Sequence, residues 1–274
     1  MGYLRHRTLT VSLILGTIAL AVAPGDRTSG ATISGTSLAE TQSVSEISPV
    51  STSEISPVRS PILAATNVSP EEIEGTWELR DAKRPDNQKY TGTLEIEAFR
   101  DTNNLYNLSW ETSAGDYTGL GFLEGDRLLV GYGLNEEIYG AVLYKINGDG
   151  TLEGRWTYSQ ANGAVGTEKA IGGIRGKLEG EYRIDGTDPG QPDSTYNGLL
   201  RINKVKDIYQ VSWIVEDQVL LGVGLRVDDW LIVGWGQGNN FAVMDYKIER
   251  DKVKGRSAMS GQENLGKEEL RRKN

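Results

Sequence analysis

Cysteine is absent and histidine occurs once, as His6, in a chain of 274 residues. Without thiols there is no disulfide framework, no thiolate nucleophile and no lipid anchor on a modified cysteine. Export would remove His6 with its leader, leaving no imidazole for a triad, a proton shuttle or a zinc site. No nucleophile motif stands in for them, so the expectation is a protein that is not an enzyme and holds no cofactor and no metal. Basic residues are also few, 29 Lys and Arg against 38 Asp and Glu. Nucleic acid and anionic membranes both require a basic footprint, so neither is an expected partner.

What is present begins with Arg5, His6 and Arg7, an apolar run from Leu9 to Val22, and the small-residue pattern Ala21-Val22-Ala23. This predicts a signal peptide over residues 1–23, with a retained anchor as the alternative. Cleavage there removes two basic residues and no acid, taking the formal charge from −9 to −11. Residues 24–70 are rich in Ser, Thr, Ala and Pro, and Ser45-Glu-Ile-Ser-Pro-Val50 recurs as Ser53-Glu-Ile-Ser-Pro-Val58. Such a segment buries too little apolar surface to offset its ordering entropy, and it reads as a disordered linker.

Beyond the linker the chain aligns with itself. Tyr90-Thr-Gly92-Thr-Leu94-Glu-Ile96 matches Tyr196-Asn-Gly198-Leu-Leu200-Arg-Ile202, and Tyr106-Asn-Leu108-Ser109-Trp110 matches Tyr209-Gln-Val211-Ser212-Trp213. Leu128-Leu-Val130-Gly131-Tyr132-Gly133 matches Leu231-Ile-Val233-Gly234-Trp235-Gly236. Tyr144-Lys-Ile146 matches Tyr246-Lys-Ile248, and Gly166-Thr-Glu168 matches Gly266-Lys-Glu268. Across these blocks the offset falls from 106 to 100 residues, and each change falls between blocks, where loops tolerate it. The predicted units are repeat 1 over 71–173 and repeat 2 over 174–270.

Apolar residues alternate within the blocks, and turn signals such as Glu124-Gly-Asp126 and Asn147-Gly-Asp-Gly150 separate them. In the first copy the pattern predicts about eight strands, near 75–81, 90–99, 105–112, 117–123, 127–133, 138–146, 151–158 and 165–170. The fold class is therefore all-β, two tandem antiparallel meander barrels of about eight strands each. Two β-sandwiches would show the same alternation. Glycine pairs inside strands, Gly119/Gly121 and Gly131/Gly133 with their counterparts, signal sharp bends or close approach to another surface.

These blocks resemble the repeat of exported bacterial proteins, chiefly cyanobacterial, often labelled fibronectin-binding. The resemblance spans roughly Ile73 to Leu270 and implies an extracellular or envelope partner, without assigning residues to it. The architecture is similar to that of lipocalin and avidin barrels. Among the positions where the copies differ are Tyr132 against Trp235 and Trp156 against Ser257.

The candidate ligand-binding residues are Tyr106, Trp110, Tyr132, Trp156, Tyr209, Trp213 and Trp235, because aromatic rings give contact area at low entropic cost. The plain alternative is that they fill barrel interiors. Glu168 and Glu268 follow a glycine in each last strand and read as closing hydrogen-bond acceptors or exposed charges. The acidic stretch Asp185 to Asp193 reads as a solvated loop rather than a calcium site, lacking the spacing of an EF-type loop. The functional expectation is a secreted, non-catalytic binding or adhesion module for a protein, a glycan or a small molecule. The alternatives are a structural envelope or matrix protein and, behind it, a carboxylate-based enzyme.

Overall fold

The structure is a computed structural model, and it describes residues 68–273 apart from 101, 103 and 135–137. The expected leader and nearly all of the linker lie outside the described residues. A single turn of helix, α1 (Pro70–Ile73), precedes β1 (Gly75–Lys83), β2 (Lys89–Tyr90), β3 (Gly92–Ala98), β4 (Leu105–Thr112), β5 (Gly115–Glu124) and β6 (Arg127–Gly133). Next come β7 (Tyr139–Ile146), β8 (Leu152–Tyr158) and β9 (Gly166–Ile171). The second copy supplies β10 (Gly180–Asp188), β11 (Gln191–Val205), β12 (Ile208–Val215), β13 (Gln218–Val227), β14 (Trp230–Gly236), β15 (Phe241–Glu249), β16 (Lys252–Met259) and β17 (Gly266–Arg272).

All pairings are antiparallel and the strands close into two eight-stranded barrels, as the alternation predicts. The barrels do not coincide with the repeats, which corrects the boundaries at 173 and 174. Barrel 1 runs β17-β16-β15-β6-β5-β4-β3-β1 and closes through β1 and β17, with the two-residue β2 also bonded to β1. Barrel 2 runs β10-β11-β12-β13-β14-β7-β8-β9 and closes through β9 and β10. Each barrel thus takes a five-strand meander from one copy and three strands from the other. Within one chain this is the exchange that similar elements permit, since β15 offers β6 the same Tyr-Lys-Ile pattern that β7 carries.

The crossing explains sequence features that strict alternation does not. Inward residues such as Leu94, Leu108, Val130 and Tyr246 fill barrel 1, and Tyr144, Leu200, Val211 and Val233 fill barrel 2. A third core lies between the barrels, where the outer faces of β5, β6, β7, β13, β14 and β15 contribute Phe122, Leu129, Leu143, Leu225, Ile232 and Val243. Strands buried on both faces read as continuous apolar runs, as in Leu128-Leu129-Val130. At the crossing the backbones touch: a Cβ on Gly131 would lie 2.6 Å from the Gly140 carbonyl, and one on Gly234 would collide with that of Ala242.

Charges clasp the two barrels around this core. Asp245 is buried and accepts from Arg127 Nη1 at 2.9 and 3.0 Å and from Arg256 Nε at 2.9 Å. Arg256 also donates to the Arg226 carbonyl of barrel 2 at 2.7 Å. In the opposite direction Arg155 of barrel 2 pairs with Glu124 of barrel 1 and lies over the Phe122 ring.

One end of each barrel is sealed by the residues that enter it. Ser69 and Glu72 cap α1, the Ser69 amide donating to Glu72 Oε2 at 2.8 Å, and Trp77 Nε1 donates to the Ile73 carbonyl at 2.9 Å. In barrel 2 the Tyr182 hydroxyl donates to the Leu178 carbonyl at 2.9 Å. The segment from Asp185 to Asp193 is the end of the β10–β11 hairpin, turning at Pro189-Gly190, not a free loop. There Asp188 accepts from the Ser194 hydroxyl.

Candidate functional site

The opposite ends of the barrels carry the aromatic and acidic side chains. In barrel 1, Glu268 on β17 lies beside Ala82 of β1, whose other neighbour is Tyr90. The Tyr90 and Tyr246 hydroxyls both donate to the Glu268 carboxylate, and Trp110 Nε1 donates to the Tyr246 hydroxyl at 3.1 Å. Barrel 2 repeats the arrangement: Tyr144 and Tyr196 donate to Glu168, and Trp213 Nε1 lies 3.0 Å from the Tyr144 hydroxyl and 3.3 Å from Glu168. Because of the strand exchange, each cluster combines a Tyr and a Trp from one copy with a Tyr and a Glu from the other.

The indoles fit because glycines make room. A Cβ on Gly119 would stand 2.9 Å from the Trp110 ring, and one on Gly222 the same distance from Trp213. Burial pushes both carboxyls, Glu168 and Glu268, above the ordinary carboxylate range, and the tyrosine and indole donors pull in the opposite direction. The tyrosines respond in kind. Burial first, and then the neighbouring carboxylate, raise Tyr90, Tyr246, Tyr144 and Tyr196. These hydroxyls stay protonated and act as donors.

The mouths differ at one pair of positions. In barrel 2, Trp156 closes the mouth: its ring centroid lies 6.2 Å from Tyr158, 6.1 Å from Tyr196 and 6.4 Å from Trp235, and its Nε1 donates to the Thr187 carbonyl at 3.1 Å. In barrel 1 the matching residue is Ser257, and a recess of about 20 Å³ opens, lined by Arg84, Tyr90, Trp110, Tyr117, Tyr132 and Met259 with Glu268. That is room for about one water molecule. Trp110 and Tyr132 pack at 5.3 Å and Tyr117 and Tyr132 at 6.4 Å. Arg84 Nε, on the same wall, has no hydrogen-bond partner among the described residues.

The seven sequence candidates therefore separate. Trp110 and Tyr132 line the recess, while Trp156, Trp213 and Trp235 belong to the filled mouth of barrel 2. Tyr106 and Tyr209 are buried core residues, and Tyr106 pairs with Ala98 near the sealed end of barrel 1. Tyr90, Tyr117 and Tyr246 were not among the candidates. Tyr90 and Tyr246 were readable, since both recur in matched blocks, whereas Tyr117 corresponds to Leu220 and has no such signal.

The chain matches no family model, no curated protein and no solved structure. Site geometry alone therefore carries the functional reading. Among the described residues no group of His, Asp and Glu is placed to hold a metal ion, and no helix is long and apolar enough to cross a membrane.

Proposed function

We propose that the chain is a secreted, non-catalytic binding module that engages an extracellular or envelope protein, a glycan or a small molecule through the mouth of barrel 1. The observation that carries this reading is the substitution inside the duplication: Ser257 leaves an aromatic recess over a buried carboxylate where Trp156 fills the equivalent place. A non-catalytic role is supported by the carboxylates themselves. Glu168 and Glu268 sit in different barrels, each engaged by two tyrosine hydroxyls, so they do not form together the carboxylate pair that glycoside hydrolysis employs. Net negative charge argues against nucleic acid and anionic lipid as partners.

The densely filled interiors favour a second reading, a structural envelope protein whose exchanged strands serve mechanical stability. One experiment separates the two. The intact chain and its Ser257→Trp variant are screened against arrays of glycans and extracellular proteins, fibronectin included, and against small apolar molecules. Binding that the variant loses supports the module. An absence of any binding sensitive to Ser257→Trp contradicts it and leaves the structural reading.

A further inference from the structure

Barrel 2 displays, in its own side chain, what the mouth of such a barrel holds. The Trp156 indole sits against Tyr196 and Trp235 with its N–H on a backbone carbonyl. Barrel 1 keeps the corresponding walls, Tyr90 for Tyr196 and Tyr132 for Trp235, and it keeps the acceptor. The Lys83 carbonyl stands against Gly266 as the Thr187 carbonyl stands against Gly166. The occupant is missing, because Ser257 replaces Trp156.

Resting on the reading of this mouth as a binding site, we propose that it accepts an indole-like ring from outside the chain, a planar aromatic group whose N–H donates to the Lys83 carbonyl. The recess is narrow, and two of the side chains that line it are of adaptable types. Met259 replaces Tyr158 and is unbranched and adaptable, and Arg84 is about one-third exposed. Displaced from the recess, the Arg84 guanidinium can stack on the incoming ring, a favourable cation–π placement. Tyr117, which stands where barrel 2 has Leu220, adds a further ring to the wall.

The test titrates the intact chain with indole and, separately, with N-acetyltryptophanamide, read by calorimetry and ligand-observed NMR. Saturable binding of either at one equivalent is expected, the first pointing to a free small molecule and the second to a peptide side chain. Ser257→Trp is expected to weaken that binding by tenfold or more. Met259→Tyr, which copies barrel 2 at a second position, provides an independent block should Ser257→Trp fail to show a cooperative melting transition. Trp156→Ser is expected to add a second equivalent of the same ligand in barrel 2. Binding that neither blocking variant weakens overturns the assignment. So does an absence of indole binding. In that last case, array hits that Ser257→Trp abolishes leave the module reading standing, and an absence of such hits removes both.

Discussion

Barrel 1 and barrel 2 share a buried cluster of one glutamate, two tyrosines and a tryptophan and differ in what stands at the mouth. Both bury a glutamate under two tyrosine hydroxyls and an indole, so this cluster is part of what makes each barrel a barrel. The opening is not part of it. Trp156 closes one mouth from within, whereas Ser257 leaves a recess at the other, so the two mouths differ by a side chain rather than by the fold. The outer walls differ as well. Val219 and Leu221 of barrel 2 are 55% and 50% exposed, where barrel 1 has Asp116 and Thr118.

The comparison can be broken first at the shared cluster. Trp110→Ala and Trp213→Ala should each cost about 3–5 kcal/mol in urea unfolding, because both residues are buried. Should Trp110→Ala cost much less than Trp213→Ala, the recess would already have loosened barrel 1 and the equivalence of the clusters would fail. Next in size is Asp245→Ala, expected to cost about 2–3 kcal/mol by leaving Arg127 and Arg256 without their carboxylate. Its counterpart on β7 is Leu143, so Leu143→Ala tests packing alone at the same place.

Acidity probes the two glutamates together. Their folded-state pKa values lie above the unfolded ones, so their contribution to stability is present at low pH and is lost as pH rises through the raised values. Glu72, Asp81 and Asp149 shift the other way, through hydrogen bonds to Ser69, Lys267 and Thr151, and contribute above the carboxylate range. Denaturation midpoints of the wild type and of Glu168→Gln/Glu268→Gln should therefore converge as pH falls toward 4. The variant should gain on the wild type as pH rises, and parallel profiles would contradict the raised carboxyls.

The smallest expected effect lies on the outer wall. Val219→Asp/Leu221→Thr copies barrel 1 and should change stability by no more than about 0.5 kcal/mol while lowering concentration-dependent self-association measured by light scattering.

Most of the strand inventory was legible in the sequence because period-two alternation and Gly/Asn/Asp turns are local properties. Observed strands such as 105–112 and 127–133 fall where the pattern puts them. The exchange was not legible, and duplication itself is the reason. Tyr144-Lys-Ile146 and Tyr246-Lys-Ile248 offer β6 nearly the same partner, so nothing local distinguishes its own strand from its sibling's. The third core left a trace in Leu128-Leu129-Val130, whose break from alternation marks a strand covered on both sides. At the site, the replacement of Trp156 by Ser257 was visible as a departure from the repeat. Its consequence required knowing that Tyr90 and Tyr132 converge on the same space.

Everything distinctive about the two mouths depends on which strands meet, and the absence of cysteine makes that directly measurable. On β7, Lys145 lies opposite Trp230 of β14, whereas pairing within one copy would place it opposite Arg127 of β6. Under mild oxidation Lys145→Cys/Trp230→Cys should form an intramolecular disulfide in the monomer, and Lys145→Cys/Arg127→Cys should not. The reverse outcome, ready closure of the 127–145 bridge with no 145–230 bridge, would show that each copy folds on itself and would contradict the exchanged barrels.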